Sequence, residues 1–228
     1  AAWIRAPGRM QNTFGNESFV DEIAAATGAD PFDFRTHHLS DPRGLELLAR
    51  LRTFADWQPR GSRARDTADV AQGRGVSYAK YELVRTYVGV VADVEVNRKT
   101  GVIQVRRVFV VHDCGQIINP DGLRNQIEGN VVQTVSRTLI EQLSFSRSAV
   151  TSLNWGSYPI LTFPDVPEVA IDLIDRPGEA PWGAGEPTTS VIPSAIANAV
   201  FDATGARVRS LPFRPPVVLA ALAQAAAR

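Results

Sequence analysis

Apolar positions recur along this chain with two periods, and the changes between them mark its elements. In "NESFVDEIAAATG" Phe19, Val20, Ile23, Ala24 and Thr27 share one face at helical spacing, with Asn16 as the N-cap and Gly28 as the stop. "DPFDFRTHHL" opens a second helix on Asp30, whose carboxylate suits a cap, with Pro31 at the first helical position. "DPRGLELLARLRTFADW" repeats that start and reads as a third helix ending near Trp57. The next stretch, "QPRGSRARDTADVAQGRG", is polar, rich in Arg and Gly and without a period, which predicts a connecting loop. The pattern thus divides the chain into a helical segment over 1–60, a loop or subdomain boundary over 61–75, and an α+β subdomain over 76–228.

In that last part the period falls to two. "GVSYAKYEL" reads as a strand, and Val88, Val90, Ala92, Val94 and Val96 then alternate with Asp93, Glu95 and Asn97. "RKTG" makes a turn, and residues 103–111 return as an antiparallel partner. "DCGQIINPDG" breaks the sheet, after which Ile127, Val131, Val135 and Leu139 set one apolar stripe on a long helix. Short strands are expected around Phe145 and in "VPEVAIDLIDR". Ile192, Ile196 and Val200 mark a helix stopping at Gly205, "RVRSLPF" reads as a short strand, and the alanine-rich end closes with a helix. The order helices, sheet, helix, strands, helix predicts an α+β fold, an antiparallel sheet with packed helices, rather than a doubly wound α/β fold.

Composition narrows the chemistry. The 228 residues can bury a sizeable core, and their 24 basic and 24 acidic side chains cancel, so no charge excess points to nucleic acid. No apolar run is long enough to span a bilayer, and "AAWIRAPGRM" lacks the layout of a secretory signal, so the sequence carries no address for cytoplasm or periplasm. A single cysteine, Cys114, excludes an internal disulfide and a four-thiolate iron–sulfur cluster. His37, His38 and His112 are too few and too adjacent for a zinc site and read as packing or surface residues. Redox chemistry on this chain would need a bound organic or metal-organic cofactor.

Three stretches carry candidate chemistry. Glu186 lies in "PWGAGEPTTSVIP", after Gly183 and Gly185, which would allow positive φ or a close approach, and before Pro187 and a helix. Such an acid can be a base aimed into a pocket, although a plain turn acid is the commoner occupant of this pattern. "WIRAPGRMQN" sets Arg5, Gly8 and Gln11 around a Pro-Gly turn, where the guanidinium fork suits oxyanions or the turn is ordinary surface. In "NQIEGN", Gln126 carries both donor and acceptor and could pair with the edge of a heterocycle, while Glu128 reads as a surface acid.

Taken in order, "RAPG", "ESFVDEIAAATGADPFDFR", "VADVEVNRKTG", "VHDCGQIINP", "NQIEGNVVQ", "FPDVPEV", "GAGEPTTSVIPSAIANAV" and "ATGARVRSLPF" resemble the molybdenum hydroxylases, the xanthine dehydrogenase and aldehyde oxidase superfamily. The resemblance is strongest to the C-terminal part of the molybdopterin-binding large subunit of the isoquinoline 1-oxidoreductase type. It implies that Glu186, in the G-x-G-E motif, is the general base, taking a proton from a hydroxyl on molybdenum. It also implies that Gly185 lies beside the metal, that Arg5 and Gly8 form the turn touching the cofactor, and that Gln126 bonds the pterin. Pro7 falls where relatives carry a substrate-facing aromatic, and Thr134 stands where many have glycine. No side chain here is expected to ligate the metal directly. The implied cofactor is molybdenum-molybdopterin in the cytosine dinucleotide form, with [2Fe–2S] clusters on a partner subunit and a cytochrome as a candidate electron acceptor. The implied reaction is hydroxylation of an N-heterocycle or oxidation of an aldehyde with water. The chain would need the remaining part of the molybdopterin-binding subunit. The alternative reading is a non-catalytic assembly or scaffold domain that keeps the fold without cofactor.

Overall fold

The computed structural model describes residues 4–60, 68–83 and 85–227. Three helices, α1 (Arg9–Ala26), α2 (Pro31–His38) and α3 (Pro42–Phe54), precede three long strands, β1 (Val70–Tyr81), β2 (Thr86–Asn97) and β3 (Ile103–Asp113). Helix α4 (Pro120–Leu139), strand β4 (Glu168–Leu173) and helices α5 (Ile192–Thr204) and α6 (Pro215–Ala226) complete the chain. The fold is α+β, a four-stranded sheet in the order β1-β2-β3-β4 with helices packed on both faces.

One face of the sheet carries Val88, Val90 and Val110, packed against Ile127, Val131 and Val135 of α4 and Ile192, Ile196 and Val200 of α5. The other carries Val76, Val91 and Phe109 under Leu47, Leu48 and Leu51 of α3 and Phe32 of α2. The alternation in β2 is therefore one-sided only where its far end meets solvent, at Asp93, Glu95 and Asn97. Local signals place the starts of most helices. Asp30, Asp41 and Asn119 accept backbone N–H bonds at the starts of α2, α3 and α4, and Gly205 closes α5 at φ 76°. Among the described residues no helix is long and apolar enough to cross a membrane.

The structure corrects several expectations. The sheet is mixed, because β4 pairs with β3 in parallel, from Arg107↔Glu168 to His112↔Leu173. Parallel neighbours need a long crossover, and residues 114–167, including α4, supply it. Of the expected 61–75 loop, residues 61–67 lie outside the described residues, and β1 already begins at Val70. Helix α1 begins at Arg9, not at Asn16, and its inward face is Met10, Thr13, Glu17, Asp21 and Ala24, whereas Phe19 is 61% exposed. The cause is ion pairing. The Glu17 carboxylate accepts from Arg35 Nε (3.0 Å) and the Tyr78 amide (2.8 Å), and Asp21 accepts from Arg60 and Arg207 (both 2.8 Å). Buried charges are tolerated when paired and hydrogen-bonded, so apolar periodicity found Ala24 on the inward face but missed Glu17 and Asp21. "RVRSLPF" is irregular rather than a strand, and the strand expected around Phe145 reduces to one bridge, Phe145↔Val150. His37 and His38 are exposed, while His112 and Cys114 are buried.

Candidate functional site

Four segments converge at the end of the sheet where β1 stops and β2 starts. The first is the turn at residues 5–8. Ala6 adopts φ 57° and Gly8 φ 73°, and Gly8 is the N-cap of α1. A left-handed conformation costs an alanine roughly 1–2 kcal/mol. That cost is offset here by the Ala6 amide, which donates to Glu186 Oε2 at 2.7 Å. The second segment is the end of β1, where Tyr81 Oη donates to Glu186 Oε1, also at 2.7 Å. Both oxygens of Glu186 are therefore held by donors from distant parts of the chain.

Helix α4 is the third segment. Arg5 Nη2 donates to Gln126 Oε1 at 3.2 Å, and the guanidinium lies against Gly129, where an added Cβ would stand 3.3 Å from Arg5 Nη1. One turn inward, the fully buried Asn130 staples the fourth segment, residues 183–190, to the helix. Its Nδ2 donates to Gly185 O (3.1 Å) and its own helix at Gln126 O (2.5 Å), while its Oδ1 accepts from the Thr189 amide (3.2 Å) and hydroxyl (2.7 Å). Thr134 sits beneath this staple, its hydroxyl 3.1 Å from Thr189 Oγ1. Thr86 Oγ1 donates to Gly183 O at 3.0 Å, tying the same turn to β2.

Arg5, Gln126, Gly185 and Glu186 are thus brought into one cradle, and Pro7 and Gly8 lie exposed on the turn that forms its rim. Beside it opens a concavity of about 380 Å³, lined by Cys114, Ile117, Leu123, Gln126, Trp182 and Gly185 among others. The glycines were expected to allow a close approach or a positive φ. Neither Gly183 nor Gly185 has one; instead, a Cβ at Gly183 would meet nothing within 4 Å, and one at Gly185 only Gln126 Oε1 at 3.7 Å. Their contribution is open space beside exposed backbone. Tyr81, the Ala6 amide and Asn130 escaped sequence reasoning, because nothing within a few residues of them announces a partner so far along the chain.

Residues 42–167 match the family model described as a molybdopterin cofactor-binding domain. The chain belongs to that family. It corresponds to part of a molybdopterin-binding subunit of the molybdenum hydroxylase and aldehyde oxidoreductase family. It is 45% identical, over 97% of its length, to a nicotinate dehydrogenase subunit of Pseudomonas putida. To the beta subunit of isoquinoline 1-oxidoreductase of Brevundimonas diminuta it is 33% identical, over 93%. It spans 19% of the first relative and 26% of the second. Its fold matches the aldehyde oxidoreductase of Desulfovibrio desulfuricans with a TM-score of 0.84 at 17% identity, over 97% of this chain and 41% of that one.

The cradle presents groups that fit a bulky polar heterocycle. Gln126 offers an exposed amide edge, Arg5 a half-buried guanidinium, and Gly183 and Gly185 an exposed backbone with no side chain to obstruct approach.

Proposed function

We propose that this chain supplies the general base and one wall of the cofactor site in a molybdenum hydroxylase of the isoquinoline 1-oxidoreductase type. The reaction would be hydroxylation of an N-heterocycle or oxidation of an aldehyde, with water as the oxygen source. The observation that carries this reading is the Glu186 carboxylate, held at both oxygens by 2.7 Å donors in the same cradle as Arg5, Gln126 and Gly185.

The cofactor, molybdenum-molybdopterin in the cytosine dinucleotide form, supplies the oxygen-transfer and hydride-accepting chemistry when bound. This chain's residues do the rest. A carboxylate has about four lone-pair sites, and Glu186 keeps those not used by Ala6 and Tyr81 for receiving a proton. Arg5 and Gln126 would hold the pterin, Gly185 would leave room for the cofactor beside Glu186, and Gly8, at φ 73°, shapes the turn that follows Arg5. Pro7 faces the substrate. Electrons would leave through [2Fe–2S] clusters on a partner subunit, with a cytochrome as the proposed onward acceptor.

The surface supports a part that works against further protein. Leu143, Phe145, Leu153, Trp155 and Phe163 are between 52% and 97% exposed along one arm after α4. So much apolar surface supports a contact site, and the relatives' several-fold greater length favours the remaining part of the molybdopterin-binding subunit as its occupant. The test is Glu186→Gln in the assembled enzyme. Turnover should fall by several orders of magnitude while molybdenum and pterin content stay at the parent level. Unchanged turnover in a molybdenum-replete preparation refutes the base, and a parent enzyme without molybdenum or pterin establishes the scaffold alternative instead.

A further inference from the structure

Tyr81 ends β1 with 6% of its surface exposed, packed with Ala6, Met10 and Leu211. A phenylalanine would fill the same apolar space, so the hydroxyl calls for its own explanation. Burial first, and then the hydrogen bond to Glu186, raise the Tyr81 pKa well above the ordinary tyrosine range. The phenol therefore stays protonated, and towards a carboxylate it can only donate. Arg9 lies over the ring, 5.7 Å from its centroid.

The last torsion of a glutamate is broad, so a carboxylate held at one oxygen can pivot about that bond. Held at Oε2 by the Ala6 amide alone, Glu186 would keep this freedom. The second donor, on Oε1, removes it and fixes the plane in which the remaining lone pairs point. We propose that Tyr81 is a positioning residue, whose hydroxyl locks the rotation of the Glu186 carboxylate so that its free lone pairs face the cofactor cradle. This rests on the reading of Glu186 as the base. It adds a requirement that the motif around Glu186 does not contain, supplied by a strand 105 residues earlier.

The test uses Tyr81→Phe in the assembled enzyme. We expect kcat to fall about 10- to 100-fold, with KM and molybdenum content unchanged, because misplacing a reacting group costs turnover rather than ground-state binding. 3-Fluorotyrosine at position 81, which restores the hydroxyl, should recover most of kcat. A readout independent of turnover is the infrared carboxylate stretch, which should shift in Tyr81→Phe and show no such shift when the same change is made in Glu186→Gln. In that background Tyr81→Phe should also cost no further turnover. If Glu186→Gln abolishes turnover while Tyr81→Phe leaves kcat and the infrared band unchanged, the positioning role fails and the base survives. Should Glu186→Gln stay active, the base reading fails and takes this inference with it. Loss of molybdenum or a raised KM in Tyr81→Phe overturns positioning in favour of a merely structural role.

Discussion

Gly75 in β1 is where α5 lies closest to the sheet, and Gly75→Ala should separate them. A Cβ built there would stand 2.2 Å from Ala195 O, 2.2 Å from Ala199 N and 2.7 Å from the Asn198 carbonyl carbon. Ordinary carbon contacts begin at about 3.5 Å, so α5 would have to retreat by roughly 1.3 Å. All three obstacles are backbone, so no rotamer change relieves them. Retreat would loosen Ile192, Ile196 and Val200, all fully buried against the sheet. Overpacking usually costs 1–3 kcal/mol, and a backbone clash belongs at the top of that range, about 3 kcal/mol. For a protein of this size that corresponds to a melting shift of roughly 6–12 °C. The site would feel it as well, because α5 starts directly after the turn that carries Glu186 and is tied to β1 by the 2.7 Å contact of Ser194 Oγ with Ser77 Oγ. The assay is thermal unfolding of the parent and Gly75→Ala, with Gly183→Ala as a control whose Cβ meets nothing within 4 Å. A Gly75→Ala melting point within about 1 °C of the parent would refute the packing argument.

Buried titrating groups give two further predictions. His112 is fully buried with neither ring nitrogen hydrogen-bonded, and burial pushes its pKa down to about 4, against a smaller opposing pull from Asp113. Below its ordinary value near 6.5 the unfolded chain takes up a proton that the folded chain refuses, so stability is lost as pH falls from there towards 4. Between pH 7 and pH 5 the parent should lose about 2 kcal/mol more than His112→Leu; parallel denaturant curves at the two pH values would contradict this. Asp113 shows the opposite balance. Burial alone would raise its pKa, but hydrogen bonds from Arg43 and Arg176 and the Gly115 amide leave it lowered. Its contribution is present above the unfolded value near 3.9 and is lost as pH falls through the lower folded one. Asp113→Asn should therefore cost about 3–5 kcal/mol at neutral pH, with the gap to the parent narrowing below about pH 4. A gap independent of pH would show that the charge contributes nothing.

The site was legible in the sequence to an uneven degree. Glu186 in its own turn looks like many other acids before a helix, and the ordered set of motifs is what favoured the base over a plain turn acid. Gln126 and Arg5 were singled out separately, and their contact at 3.2 Å joins residues 121 positions apart. The glycines were noticed for positive φ or a close approach; they have no positive φ, and what they provide is vacant space.

The sequence by itself determined the features whose causes lie within a turn or two: the caps at Asp30 and Asp41, the left-handed stop at Gly205, the alternation of β2 and the stripe of α4. Such signals are carried by neighbours along the chain, so a single sequence displays them. Only the tertiary structure decided that β4 runs parallel to β3, that Glu17 and Asp21 face inward, and that Tyr81 and the Ala6 amide grip Glu186. Each of these depends on a partner tens to nearly two hundred residues away. A charge or carboxylate can be buried only once such a partner is in place, and no local period records where that partner will come from.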